Sequence, residues 1–346
     1  MVFNYMAAIG KRFQDAGLRD LVVESGVIAE GAAQGVMDGR LYNCAIRFHK
    51  LVYEALLQLA WKAFPSWLLS NHPDHEQELT NALQYMVNQD KIENETIPLH
   101  LQNSWQSILS LFDSFLGQLR AGNSGNLASF WVSYIDMVEI MLGLVRAAQE
   151  GDWELHLLSV RAMIPWLFAC DKLNYARYVP FYYAAMTQLN HTHPGLTNEL
   201  QQGRFSVQIS SNQFSKIPAN QAIEETMNRD TQTAGGTKGF SLKPEAVFKY
   251  YVSAEYRSSA LRQLRYMVEP DQHMKSIHTD LQNSRILKDN QDVDALIDTF
   301  ENAWIDPMSG QHDLVCISTG RLASTEVTND LIQAHAIGEE LYQKFK

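Results

Sequence analysis

A chain of 346 residues with a formal net charge of −11, from 28 basic and 39 acidic residues, is long enough for two domains or for one core with a large insertion. The acidic balance argues against broad, sequence-independent binding to nucleic acid, which needs clustered lysine and arginine, although it leaves room for a local basic face. Three cysteines, Cys44, Cys170 and Cys316, make neither a disulfide framework nor a CxxC metal pair; they read as small buried apolar residues of a reducing compartment.

Residues 2–24 read as a helix with a break. Val2, Tyr5, Met6 and Ile9 share a face, Gly17 interrupts, and Leu18, Leu21 and Val22 resume. Gly26, Gly31, Gly35 and Gly39 punctuate a short helix-loop region. The strongest helix is Tyr42–Leu69, where Ile46, His49, Val52, Leu56, Leu59 and Ala63 recur at three and four, and Pro65 is expected to kink or restart it. Helices are expected at Asp74–Val87, Pro98–Leu119 and Leu127–Gln149, with a charged linker over Asn88–Thr96 and a loop at RAGNSGN. Asp152 reads as the N-cap of a helix through Ala169. Asn174–Leu189 reads as a helix broken at Pro180, and its tyrosines Tyr175, Tyr178, Tyr182 and Tyr183 read as core with paired hydroxyls.

Gly203–Ile217 changes period: Phe205, Val207 and Ile209 alternate with Ser206, Gln208 and Ser210, and Ser211-Asn212 offers a turn to a partner strand at Gln213–Ile217. A short helix is expected at Asn220–Asp230, a glycine-rich loop at Thr233–Gly239, and helices at Lys243–Met267, Asp271–Asp289, Asp292–Asn302 and Ser324–Lys346. LVCIS, within Ser309–Arg321, is a short strand or a buried turn. The fold class is therefore mainly α, a multi-helix body with a small β-hairpin or incomplete sheet near 203–217. Three regions follow: N-terminal helices at 1–39, a helical insertion-like stretch at 40–150, and 151–346 with the β element. No apolar run approaches the ~20 residues of a membrane span, and no signal peptide is read. The expectation is an intracellular protein, nuclear or cytoplasmic, with no membrane partner. Both ends stop inside helical patterns, which suggests a fragment of a longer protein.

Several constellations could carry chemistry. Asn220, Glu224, Glu225 and Arg229 fall at helical spacing behind the strand pair. A carboxylate there, Glu224 or Glu225, could help hold a divalent metal, but such a centre needs two or three converging carboxylates. The simpler alternative is a solvated face with a Glu225–Arg229 pair. TAGGTKG could cradle a phosphate but lacks the Walker spacing, so an ordinary loop is the simpler reading. Asp171, Asn174, Tyr175 and Arg177 form a compact polar cluster that suits a helix junction held by an Asp–Arg pair. His72, His75, His191 and His193 have no cysteine nearby and read as loop residues. Arg257, Arg262 and Arg265 line one helix between Glu255 and Glu269 and read as a solvated face with modest phosphate-contact potential. No small-molecule substrate is identified.

The segments MAAIGKRFQDAGLRDLVVESGVIAEGAAQGVMDGRLYNCAIRFHKLVYEAL, IPWLFACDKLNYARYVPFYYAAM, NQAIEETMNRDTQTAGGTKGFSL and DLVCISTGRLASTEVTNDL resemble, in order and over nearly the whole chain, a large transposon-borne protein family of animal genomes. That family is distantly similar to cut-and-paste transposases with an RNase H-like core. The resemblance implies a C-terminal portion whose first core carboxylates lie upstream, with Arg40–Gln149 as the helical insertion and Glu224 as the last metal ligand and catalytic remnant. It also implies departures: Asn220 stands where relatives carry Asp, Glu225 where they carry Gln, and Gln232 where they carry a basic residue. Losing the Asp charge weakens metal binding, so the isolated chain is expected to be catalytically inactive, with DNA or protein as its partner class. No cofactor is expected, and magnesium enters only with a complete, active parent protein. The alternative is a helical interaction or scaffold protein without transposase-related activity.

Overall fold

The computed structural model describes residues 1–89, 99–208, 216–219, 244–245, 248 and 283–345. It is mainly α with one two-stranded antiparallel ribbon among the described residues. Helix α1 (Val2–Phe13) buries Tyr5, Met6, Ile9 and Phe13, the stripe its spacing predicts. A 3₁₀ turn at Gln14–Ala16 ends at Gly17, whose φ of 111° suits a residue without Cβ, and α2 (Leu18–Glu24) begins there. Gly10 lets α1 lie against α3 (Ala33–Met37): a Cβ on Gly10 would stand 2.0 Å from the Met37 carbonyl oxygen.

Helix α4 (Tyr42–Asn71) buries Phe48, Val52, Leu56, Ala60, Phe64 and Leu68. It runs through Pro65 without the expected restart. Phe64 and Leu68, both fully buried on either side of the proline, outweigh the one N–H bond it removes. Then come α5 (Glu76–Gln89), α6 (Leu99–Arg120) and α7 (Asn126–Glu150). Phe64 and Trp67 of α4 meet Phe112 and Phe115 of α6 at ring-centroid distances of 5.4–5.9 Å. Phe13 meets Phe130 and Tyr134 of α7 at 4.5 and 5.0 Å. By length and composition α7 could cross a membrane, contrary to the sequence expectation, but 61% of its apolar window is buried in the protein, as in a core helix.

Asp152 caps α8 (Trp153–Ala169) as expected, its Oδ1 accepting the Leu155 amide at 2.9 Å. Helix α9 (Leu173–Thr187) continues through Pro180 instead of breaking. Tyr178 is exposed, so the tyrosines of this helix are not all core as expected. After α10 (Leu189–Thr192) and α11 (Pro194–Gln201), β1 (Ser206–Gln208) pairs antiparallel with β2 (Lys216–Pro218), Val207 opposite Ile217. The Ser211-Asn212 turn, the Asn220–Asp230 helix, the Thr233–Gly239 loop and nearly all of Lys243–Met267 lie outside the described residues.

Near the C-terminus, α12 (Asn283–Asp298) is continuous where two helices were expected to meet at residues 290–291, and a π-helical turn follows at Thr299–Ala303. Its polar side finds partners: Arg47 bonds Asp289 at 2.6 Å and also bonds Asp292. Its other side buries Val293, Leu296 and Ile297. LVCIS is a buried turn closed by a single bridge between Val315 and Leu322, with Leu314 and Ile317 in the core. Helix α13 (Thr325–Phe345) follows.

Contacts divide the chain into two compact units, Met1–Leu142 with Val160–Phe181 and Leu287–Lys346, and Gly143–Ser159 with Tyr182–Ile286. The first takes residues from each of the regions 1–39, 40–150 and 151–346. It is laced by bonds between chain-distant residues: Ile317 N–H to the Ala16 carbonyl at 3.0 Å, Ser318 Oγ to Asp20 at 2.5 Å, and Arg161 to Glu339 at 3.2 Å. In the second, Trp153, His156 and Phe205 pack ring on ring at 5.2–5.3 Å, and the Lys216 ammonium donates to the Glu150 carbonyl.

Candidate functional site

Glu224, with Asn220, Glu225 and Arg229, lies outside the described residues, as do Arg257, Arg262 and Arg265. The polar cluster of Asp171, Asn174, Tyr175 and Arg177 is described, and its side chains do not converge on one another. Asp171 is exposed, and its φ of 51° makes it the left-handed residue that ends α8. Its amide donates to the Phe168 carbonyl and the Lys172 amide to the Leu167 carbonyl, a Schellman closure with Asp where glycine is usual. Asn174 and Arg177 are exposed on α9. Among the described residues no ion pair joins Asp171 to Arg177; Tyr175 instead accepts a hydrogen bond from Asn4 Nδ2 at 2.8 Å. The helix junction is therefore closed by backbone bonds, where a side-chain Asp–Arg pair and an Asn bond were expected.

The cysteines also depart from expectation: Cys44 is exposed and Cys170 and Cys316 are half-buried. Cys44 sits in the outward-facing first turn of α4, and the other two lie at turns, away from the apolar stripes. Both Cys170 and Cys316 border the same cavity. His72, His75, His191 and His193 gather no metal set, since no cluster of three or more His, Cys, Asp or Glu that could hold a metal occurs among the described residues; His191 lies within α10 and His75 in a 3₁₀ turn, where loops were expected. His75 Nδ1 is 2.9 Å from Glu78, and the rings of His72 and His75 are 6.4 Å apart.

What the sequence reading missed is Arg12. It sits on α1 at i+7 from Tyr5 and i+3 from Ile9, and that spacing was the available signal that it points inward. Its guanidinium lies 5.2 Å from the Phe130 ring and 5.3 Å from Trp166, and Nη2 donates to the Leu331 carbonyl at 2.6 Å. Nε is buried and makes no hydrogen bond among the described residues. Burial pulls the Arg12 pKa below its ordinary value, which the Cys170 thiol and the Tyr5 hydroxyl only partly counter. Arginine tolerates this position because its flat, weakly hydrated cation stacks on aromatic faces.

Arg12 forms a wall between two cavities of the first unit. One, about 560 Å³, holds Arg120, Asp136, Arg161, Trp166, His335 and Glu339. There the charges cancel in pairs, Arg120 forking onto Asp136 at 2.6 and 2.9 Å and Arg161 reaching Glu339. The other, about 640 Å³, lies between α1, the turn at 314–323 and the start of α13. Elsewhere in the unit, His49 is completely buried, one ring nitrogen 2.8 Å from the Tyr134 hydroxyl, and burial pushes its pKa down to about 4. His156, in the second unit, is pushed down to about 4 by the same cause.

A family model described as a domain of unknown function, DUF8702, matches residues 1–346. No curated protein and no solved structure matches the chain.

Proposed function

The chain belongs to this family along its whole length, and on that footing we propose that it is a helical binding protein that takes a partner protein on the faces of α9 and α13. Leu173, Tyr178 and Phe181 on α9 are 74%, 64% and 62% exposed. Ile337, Leu341 and Phe345, also exposed, recur every four residues along α13. Phe345 joins the two stripes, its ring 5.1 Å from Phe181 and 6.0 Å from Phe168. Single exposed apolar residues are ordinary on any surface, but two adjoining stripes form a contiguous patch. Tyrosine, phenylalanine and arginine are the residue types that dominate interface energetics, and Arg177 stands among them. Arg177 and Lys344, both exposed, favour a partner helix that carries carboxylates beside its apolar anchors.

The test is a cross-link placed at position 177, followed by re-measurement of the captured protein in purified form. Y178E/F181E should leave the circular dichroism unchanged and weaken binding by about 100-fold. Full affinity in the double variant rejects the α9 face. Sedimentation showing the chain bound to itself replaces the partner protein with a second copy.

A second reading rests on β1 and β2. The ribbon precedes residues 220–230 in the order that resemblance to an RNase H-like transposase requires, which supports descent from such a protein, with Glu224 as a remnant ligand and DNA as a further partner class. A magnesium-containing nuclease assay on this chain should be blank. Cleavage lost on Glu224→Gln would establish retained catalysis and overturn the inactive reading.

A further inference from the structure

We propose that the cavity between α1, the turn at 314–323 and the start of α13 binds a small phosphate-bearing molecule with an apolar body. Lys11, Arg12 and Arg321 line it, against two carboxylates, Asp15 and Asp171. Among the described residues, none of the three cations is ion-paired. That separates this cavity from its neighbour, where Arg120 and Arg161 each hold a carboxylate. The contrast is sharpest at Arg12, a largely buried cation whose hydrogen bond goes to a backbone carbonyl and whose Nε is unused. A buried guanidinium without a counter-anion is costly, and an anion entering beside it recovers part of that cost.

The remaining walls set the shape of the ligand. Leu314, Val315, Leu322, Val327, Leu331 and Phe130 supply apolar surface, and about 640 Å³ is the size of a typical small-molecule site. The first turn of α13 adds the positive end of a helix dipole: Ser324 and Val327 border the cavity, and Ser324 Oγ accepts the Val327 amide at 3.3 Å. Arginine matches a phosphate with a forked pair of N–H groups, as Arg321 can do from the rim. The turn carrying Arg321 is fixed by its own backbone, the Cys316 amide donating to the Arg321 carbonyl at 2.9 Å and Ile317 to Ala16. The cation is therefore presented from a tethered loop, and Arg12 from inside a helix.

Isothermal titration calorimetry of the full chain with 1-naphthyl phosphate, 1-naphthol and inorganic phosphate tests this. The naphthyl phosphate should bind at least about tenfold more tightly than either of the others, and should weaken as salt is raised. Arg321→Gln and Lys11→Gln change exposed residues whose side chains make no hydrogen bond or ion pair among the described residues, and each should weaken the phosphate ester about fivefold while leaving naphthol unchanged. Arg12→Met should abolish the preference for the ester; should that variant unfold, the two rim variants decide. No measurable heat with the ester, equal affinity for ester and alcohol, or rim variants that bind like the parent would each overturn the proposal.

Discussion

His49 is an ionisable ring sealed in the core, with one nitrogen on the Tyr134 hydroxyl and none in water. Burial holds its pKa near 4, against about 6.5 unfolded. The unfolded chain thus binds the proton first. The stability contributed is complete above about pH 6.5 and is lost as pH falls towards 4, by roughly 3 kcal/mol. Replacing the ring with an uncharged amide, His49→Gln, should remove that part of the acid sensitivity. Urea titrations monitored by tryptophan at pH 4 and 6.5 should show the parent losing about 3 kcal/mol more than the variant; equal losses would mean that His49 does not titrate in this window. Another residue-scale effect is steric. Gly10→Ala places a methyl 2.0 Å from the Met37 carbonyl, so α1 and α3 must part, and destabilisation of about 1–3 kcal/mol is expected as a fall in melting temperature. Neither position announced itself: His49 sat in an apolar period like any core residue, and Gly10 gave no turn signal.

At the scale of elements, spacing alone carried much of the helical body. The break at Gly17, the long run of α4 and the Asp152 cap were legible because each follows from local backbone chemistry: a left-handed φ, a three-and-four apolar stripe, a carboxylate on a free amide. The misreadings share a cause. Pro65 and Pro180 were expected to interrupt helices, but a single lost N–H is outweighed where neighbours such as Phe64 and Leu68 are fully buried. The polar step within α12 was expected to break, yet Arg47, far away in sequence, answers Asp289 and Asp292. Asp171 permits a direct test at this scale. It occupies the left-handed end of α8, a position that costs an L-residue about 1 kcal/mol. Asp171→Gly should stabilise the protein by up to that amount, seen as a rise in the denaturation midpoint; a fall would mean that the aspartate side chain supplies more than its backbone strain removes.

At the scale of the molecule, the first unit is assembled from three separated stretches of chain, a division that no linker composition revealed because the joins fall inside helices. The candidate site was legible only in part for the same reason. Lys11 and Arg12 belong to no recognisable motif, and only the closure of residues 314–331 over them makes a cavity. Farther along α13, Gly338 seats the helix closely on α8, since a Cβ there would lie 2.1 Å from the Pro165 carbonyl. Deleting residues 314–346 should therefore unfold the helices at the opposite end of the chain. Hydrogen exchange in α1 and α2 would report it as lost protection, and retained protection there would show that the N-terminal helices stand alone. The bond from Ile317 to Ala16 also has a consequence for biosynthesis. While the chain emerges from the ribosome, Ala16, Gly17 and the helix ends beside them must wait, without the cover of Ile317, until the turn at 314–323 has been translated. Throughout that interval they present a sticky surface that chaperones are suited to shield.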